Sequence, residues 1–137
     1  MKARLGCALG LGALLAGCGG PIQREELGRG IDTLRSAAAD GSVLARSVAE
    51  NRTHAPFVRV HARELSEEAS HEAEKLHDAE ATGELVSKKH DAVVLAQRIS
   101  DALDSLVLAP GDEQAGRTAE RQLDGLARAA GDLGQSL

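Results

Sequence analysis

Apolar residues recur at alternating steps of three and four along almost all of this chain after residue 22. That spacing places them on one face of an α-helix, and such a face must be buried against another element. No stretch of the sequence alternates apolar and polar residues with β-branched side chains, which is the pattern typical of strands. The chain is therefore predicted to be all-α, built from helices that pack stripe against stripe.

Four stretches carry this pattern, and they predict helices over residues 23–50, 56–81, 84–108 and 112–135. The breaks between them fall before Pro56, at Thr82-Gly83 and at Pro110-Gly111. Proline disfavours helical backbone in the residue before it, and glycine commonly ends a helix, so each break is a plausible turn.

Local signals refine two of these helices. Asp112 is well placed to cap the last one, whose apolar stripe is formed by Ala115, Ala119, Leu123, Leu126, Ala129, Ala130 and Leu133. In the first helix, Gly41 costs about 1 kcal/mol relative to alanine. A kink or break near Asp40-Gly41-Ser42 is therefore an alternative to a continuous helix.

Four helices of matched length with short connections favour an up-down-up-down four-helix bundle. Helices of about 25 residues are about 38 Å long, and alanine on every stripe lets them approach one another closely. The alternative architecture is a long helical hairpin that completes its core by dimerising. The two differ in whether the apolar stripe over residues 85–106 is covered within one chain.

The N-terminus has the three-part layout of a secretory signal. Lys2 and Arg4 give it a positive start, an apolar run covers residues 5–16, and small residues follow. The run is well short of the roughly 20 residues that a membrane-spanning helix needs. We therefore interpret it as an export signal and not as a transmembrane anchor.

The signal ends in Leu15-Ala16-Gly17-Cys18, which resembles the lipobox of bacterial lipoproteins. The resemblance implies that residues 1–17 are removed and that Cys18 is thioether-linked to a diacylglycerol. Residues 18–22 would then be the lipidated cysteine and a flexible tether, and residues 23–137 the bundle domain. It also implies a location at the cell membrane, lipid-anchored and facing outside the cytoplasm.

Composition argues against several kinds of partner. Phe57 is the one aromatic residue among Phe, Trp and Tyr, and aromatic side chains usually provide the surfaces on which bases and flat cofactors stack. Charge argues against nucleic acid as well, since 16 Lys and Arg stand against 21 Asp and Glu, for a net charge of −5. A chain without a basic stripe cannot neutralise phosphates. We expect no nucleic-acid partner and no cofactor.

The second predicted helix carries two Glu-x-x-His pairs, Glu68 with His71 and Glu74 with His77. Ferritin-like di-iron bundles use this spacing, but they take one pair from each of two helices. At about 100° per residue, both histidines also point away from the apolar stripe of their helix. The pairs therefore do not predict a di-iron centre.

A second grouping consists of His54, His61, Glu68 and Glu72, which fall within roughly 40° along one edge of the stripe. Imidazole and carboxylate together suit Zn²⁺, Ni²⁺ or Cu²⁺. However, His61 lies seven residues from both His54 and Glu68, which is about 10 Å along the helix. One helix therefore supplies two ligands at best. The competing interpretation of these weak candidates is a solvated helix face that carries charged residues of both signs.

No arrangement of Ser, His and carboxylate in the sequence indicates nucleophilic catalysis, because Ser70 and His71 are adjacent on one helix and point in different directions. We expect a non-enzymatic structural or protein-interaction role. The partners would be the membrane, through the lipid on Cys18, and an envelope protein or a second copy of the chain. Weak divalent-metal binding is the alternative function.

Overall fold

The structure, a computed structural model, describes residues 20–137. This part of the chain forms the helices α1 (Arg24–Ala49), α2 (Ala55–Asp78), α3 (Leu85–Leu108) and α4 (Glu113–Gln135). No strand occurs within residues 20–137. The all-α four-helix prediction is confirmed, with helix ends that differ from the predicted ones by at most three residues.

Contacts between the helices establish an up-down-up-down arrangement. The Ile22 amide donates to the Glu80 carbonyl over 2.7 Å, so the start of α1 lies beside the end of α2. Arg46 Nε donates to Glu120 Oε1 over 2.7 Å, so the end of α1 lies beside the start of α4. This hydrogen bond, reinforced by the charge of Glu120, raises the pKa of the Arg46 guanidinium above its ordinary value.

The core consists of the predicted stripes turned inward. Its largest fully buried side chains are Leu27, Ile31, Leu34, Val58, Leu76, Ile99, Leu103, Leu106 and Leu123. Burying a side chain of this size contributes roughly 1.5–3 kcal/mol. The buried stripe of α3 is covered by helices of the same chain. The alternative of a hairpin completed by dimerisation is therefore wrong.

The helix α1 runs through Gly41 without the kink or break that the sequence left open. A Cβ atom at Gly41 would lie 2.6 Å from Leu103 Cδ2 and 3.2 Å from Leu123 Cδ1. Glycine here provides the space into which two core leucines pack. Its cost to the isolated helix is offset by this burial.

The helix α2 ends at Asp78, three residues earlier than predicted. Ala79 is extended, with φ −69° and ψ 135°, and its carbonyl accepts a hydrogen bond from Lys89 Nζ at 2.8 Å. Lys89 Nζ also reaches the His77 carbonyl at 3.2 Å. A cation from α3 thus satisfies carbonyls that the end of a helix leaves without partners.

Two further predictions concern α4. Asp112 caps the helix as predicted, because its Oδ1 accepts from the Ala115 amide at 2.8 Å. Ala129, which we placed on the buried stripe, is instead exposed. The predicted apolar stripe of α4 is too wide at Ala129, because α3 does not cover the edge of α4 on which this residue lies.

The bundle is built from two tight helix pairs. α1 packs most extensively against α4, and α2 against α3, whereas the α1–α2 and α3–α4 seams have fewer contacts. At Gly116 the backbones of α4 and α1 approach so closely that a Cβ would lie 2.6 Å from the Ala49 nitrogen. The two looser seams open into surface grooves.

Candidate functional site

Cys18, the predicted lipidation site, lies outside the described residues, as does the predicted signal sequence before it. Its modification therefore stays a prediction. None of the helices in residues 20–137 is both long and apolar enough to span a membrane.

The predicted metal candidates are spread along α2 and are not brought together. His54 is exposed and stands immediately before the helix. His61 is occupied locally, because its Nδ1 lies 3.2 Å from Glu64 Oε2 and its ring packs on Phe57 with centroids 4.1 Å apart. Within residues 20–137, no three side chains among His, Cys, Asp and Glu are grouped so that they could hold a metal ion.

Of the two remaining candidates, Glu68 is exposed. Glu72 is buried, with 7% exposure. Its Oε1 lies 2.5 Å from the position that a Cβ of Gly30 would occupy, so the carboxylate sits in a notch of α1. Lys75 Nζ approaches the same oxygen at 3.4 Å. Glu72 is thus a carboxylate that lies between α1 and α2 and has Lys75 of its own helix as its ion-pair partner.

The histidines of the two Glu-x-x-His pairs, His71 and His77, are both exposed, as their positions on the helix predicted.

A hydroxyl network crosses the tight α2–α3 pair. Ser66 Oγ donates to Asp104 Oδ1 at 2.7 Å and lies 2.9 Å from Ser100 Oγ, which in turn lies 2.9 Å from Ser70 Oγ. The network is closed on itself, and no buried polar side-chain atom within the described part of the chain lacks a partner. These contacts fix the register of α2 against α3.

The looser α1–α2 seam opens into a groove of about 550 Å³, which we call the acidic groove. Its lining residues are Asp40, Val43, Leu44, Ser47, Phe57, His61, Glu64, Leu65 and Glu68. Apolar side chains form much of its surface, three carboxylates stand around them, and the lining contains no lysine or arginine. Such a surface has both the apolar area and the charge that select one kind of partner.

Two of the large apolar side chains that are exposed in the described part of the chain line the acidic groove. Val43 is 62% exposed and Phe57 is 52% exposed, and Val60, at 55%, stands on the next turn of α2. Leu108, at 86%, lies at the same end of the bundle, whereas Val86 lies at the end where Ile22 packs. Exposed apolar side chains that cluster in this way mark interaction surfaces more often than isolated ones do.

Sequence reasoning missed the acidic groove although part of its signal was present. Val43 and Val60 are β-branched apolar residues beside the buried stripes, and Phe57 is the one aromatic side chain of the sequence. Nothing in the periodicity shows that the exposed edges of α1 and α2 face each other across a shallow seam.

In comparisons with protein-family models, curated proteins and solved structures, no match to this chain was found.

Proposed function

We propose that this chain is a lipid-anchored protein of the bacterial cell envelope, and that its bundle binds a partner protein in the acidic groove. The anchor rests on the lipobox-like Leu15-Ala16-Gly17-Cys18 and on the apolar run before it. The observation that carries the binding role is the grouping of exposed Val43 and Phe57 inside a groove whose charges are all acidic. The proposed role is binding without catalysis.

The position of the groove agrees with an anchored protein. Val43 lies near the end of α1, nineteen residues after Arg24, which is about 28 Å along the helix. The chain leaves the bundle toward Cys18 at the opposite end, where Ile22 is held against Glu80. A bundle standing on its anchor would therefore present the groove away from the membrane, where other envelope proteins are accessible.

The chemistry of the groove favours, as a partner, an amphipathic helix with lysine or arginine beside its apolar face. An apolar face would cover Val43, Leu44 and Phe57, as helices do when they bind in grooves. Its cations would face Glu64 and Glu68, which lie one turn apart on α2. Opposite charges at the rim select the partner and speed its association more than they add affinity.

Binding of defined peptides to the full-length chain in a non-ionic detergent tests this proposal. We expect a helical Leu/Lys peptide to bind more tightly than a Leu/Glu peptide of the same pattern. The double variant Glu64→Lys/Glu68→Lys should lower affinity for the Leu/Lys peptide roughly tenfold, which corresponds to 1.4 kcal/mol. Phe57→Asp should weaken binding as well, because it places a charge on the apolar surface.

The matched control is Glu67→Lys/Glu74→Lys, which makes the same change of charge on the same helix outside the groove lining. It should keep most of the affinity. Equal losses in the two double variants would mean that net charge alone attracts the peptide, and the docking proposal would then be wrong. Val86→Asp, at the Ile22 end of the bundle, controls for Phe57→Asp in the same way.

The anchor is tested separately on the membrane fraction. Thioether formation requires a thiol, so Cys18→Ala should give an unlipidated precursor that keeps residues 1–17. Mass spectrometry of the wild-type protein should find an N-terminus that starts at a lipid-modified Cys18. Any other N-terminus in the membrane fraction would refute the anchor without affecting the groove.

A further inference from the structure

The α3–α4 seam holds a second groove, which we call the arginine groove, of about 720 Å³. It exists because the facing positions are small: Ala102 lines it on α3, and Gly125 and Ala129 line it on α4. A Cβ at Gly125 would meet no atom within 4 Å, so the space above this glycine is open. Grooves of a few hundred cubic ångströms are typical of small-molecule sites.

Two arginines from opposite helices line this groove. Arg98 comes from α3 and Arg121 from α4, and neither forms an ion pair with another residue in the described part of the chain. Lys88 Nζ donates to Ser136 Oγ at 2.7 Å, so these two residues lie at similar heights on the antiparallel helices. With that alignment, the Cα atoms of Arg98 and Arg121 are offset by about 7.5 Å along the bundle axis. Two arginine side chains are long enough to reach one anion across this distance.

The walls of the groove are apolar on both sides of this pair. Leu95 and Leu126 are half-buried and line it together with Ala102 and Ala129. Asp101 is the one carboxylate in the lining, against two guanidinium groups. The surface therefore combines a place for an apolar body with a net positive charge, which is the opposite of the acidic groove.

We propose that the arginine groove binds a single-chain amphiphile with an anionic headgroup, whose headgroup is held by Arg98 and Arg121 and whose hydrocarbon chain lies along Leu95 and Leu126. A guanidinium group matches the two oxygens of a carboxylate or a phosphate ester and binds them more strongly than a neutral donor does. Hydrocarbon buried on the leucines adds roughly 0.8 kcal/mol for each CH₂ removed from water. This site is independent of the peptide docking proposed for the acidic groove.

The test is photo-crosslinking of the purified full-length chain in a non-ionic detergent with a diazirine-bearing dodecanoate. The label should be found by mass spectrometry on peptides from α3 and α4 that line the groove. Unlabelled dodecanoate and dodecyl phosphate, added in separate arms, should show which headgroup competes better. Dodecylammonium should compete at least tenfold less well than the better anion, because the two guanidinium groups repel it.

Two kinds of variant test the assignment. Gly125→Leu should fill the groove and abolish labelling there. It should not lower the melting temperature, because a Cβ at this position meets no atom within 4 Å and the groove above it is open. Arg98→Ala/Arg121→Ala should reduce the labelling about tenfold, since each loses a charge-assisted contact. Arg59→Ala/Arg63→Ala, a matched loss of two exposed arginines on α2, should leave it unchanged.

Labelling that persists in Gly125→Leu, or equal competition by dodecylammonium, would overturn the proposal. Equal loss in the two double-arginine variants would also overturn it, since overall charge would then explain the result. Label found only on peptides outside the lining of the arginine groove would show that this groove is not the site of the amphiphile.

Discussion

The close approach of α4 to α1 at Gly116 allows the effect of a substitution on the free energy of unfolding to be predicted. A Cβ atom at this position would lie 2.6 Å from the Ala49 nitrogen, 2.9 Å from the Ala45 oxygen and 3.1 Å from the Ala49 Cα. All three are backbone atoms of another helix, so no side-chain rotation relieves the clash. The substitution Gly116→Ala therefore requires α1 and α4 to separate by several tenths of an ångström.

Forcing one extra methyl group into a tight interface typically costs about 1–3 kcal/mol. Replacing glycine by alanine in a helix returns about 0.5–1 kcal/mol. We expect Gly116→Ala to lower the free energy of unfolding by about 1–2 kcal/mol. Gly125→Ala, in the same helix, makes the same chemical change in open space. It should raise the free energy of unfolding by about 0.5–1 kcal/mol.

Thermal melts of the two variants, followed by circular dichroism, compare them directly. In a domain of this size 1 kcal/mol shifts the melting temperature by about 4 °C. Gly125→Ala should therefore melt roughly 6–12 °C above Gly116→Ala. If Gly116→Ala were as stable as Gly125→Ala, the tight α1–α4 contact would be wrong, and with it the division of the bundle into tight pairs and looser seams.

The remaining predictions concern the core, a helix cap and metal binding. Ile99 is fully buried, so Ile99→Asp should cost several kcal/mol, whereas Gln97→Asp at an exposed position of α3 should leave the melting temperature nearly unchanged. Asp112→Ala removes the cap of α4 and should cost about 1 kcal/mol in the same melts. Calorimetry on metal-stripped protein should find no Zn²⁺ or Ni²⁺ binding tighter than about 10 μM, because two ligands leave an ion mostly hydrated. A sub-micromolar site abolished by His61→Ala would contradict this expectation.

The sequence predicted the helices well because the apolar stripe of each helix indicates which of its faces is buried. Leu27 and Ile99 are buried where the periodicity placed them, and the break at Thr82-Gly83 separates α2 from α3 as expected. The meaning of a glycine was not predictable in the same way. Gly41 looked like a weak point of one helix, and its role depends on Leu103 of another.

The two grooves could not be predicted from the sequence either, because each depends on residues of two helices. Ala129 has the helical phase of a core residue, yet it is exposed because α3 does not cover its edge of α4. Arg98 and Arg121 are ordinary charged residues in the sequence, and they become a pair only through the register of two helices. Periodicity describes one helix at a time, whereas a seam depends on the separation between two.

The pairing of α1 with α4 has a consequence for the order of folding. This tight contact joins the first and last helices of residues 20–137, and Leu137 Cδ1 lies 3.6 Å from the position that a Cβ of Gly28 would occupy. A contact between such distant segments requires closure of a long loop, which is slow compared with forming the α2–α3 hairpin. The bundle cannot close until residues 113–135 have been synthesised. A nascent chain therefore holds α1 without its most extensive partner until α4 has been synthesised.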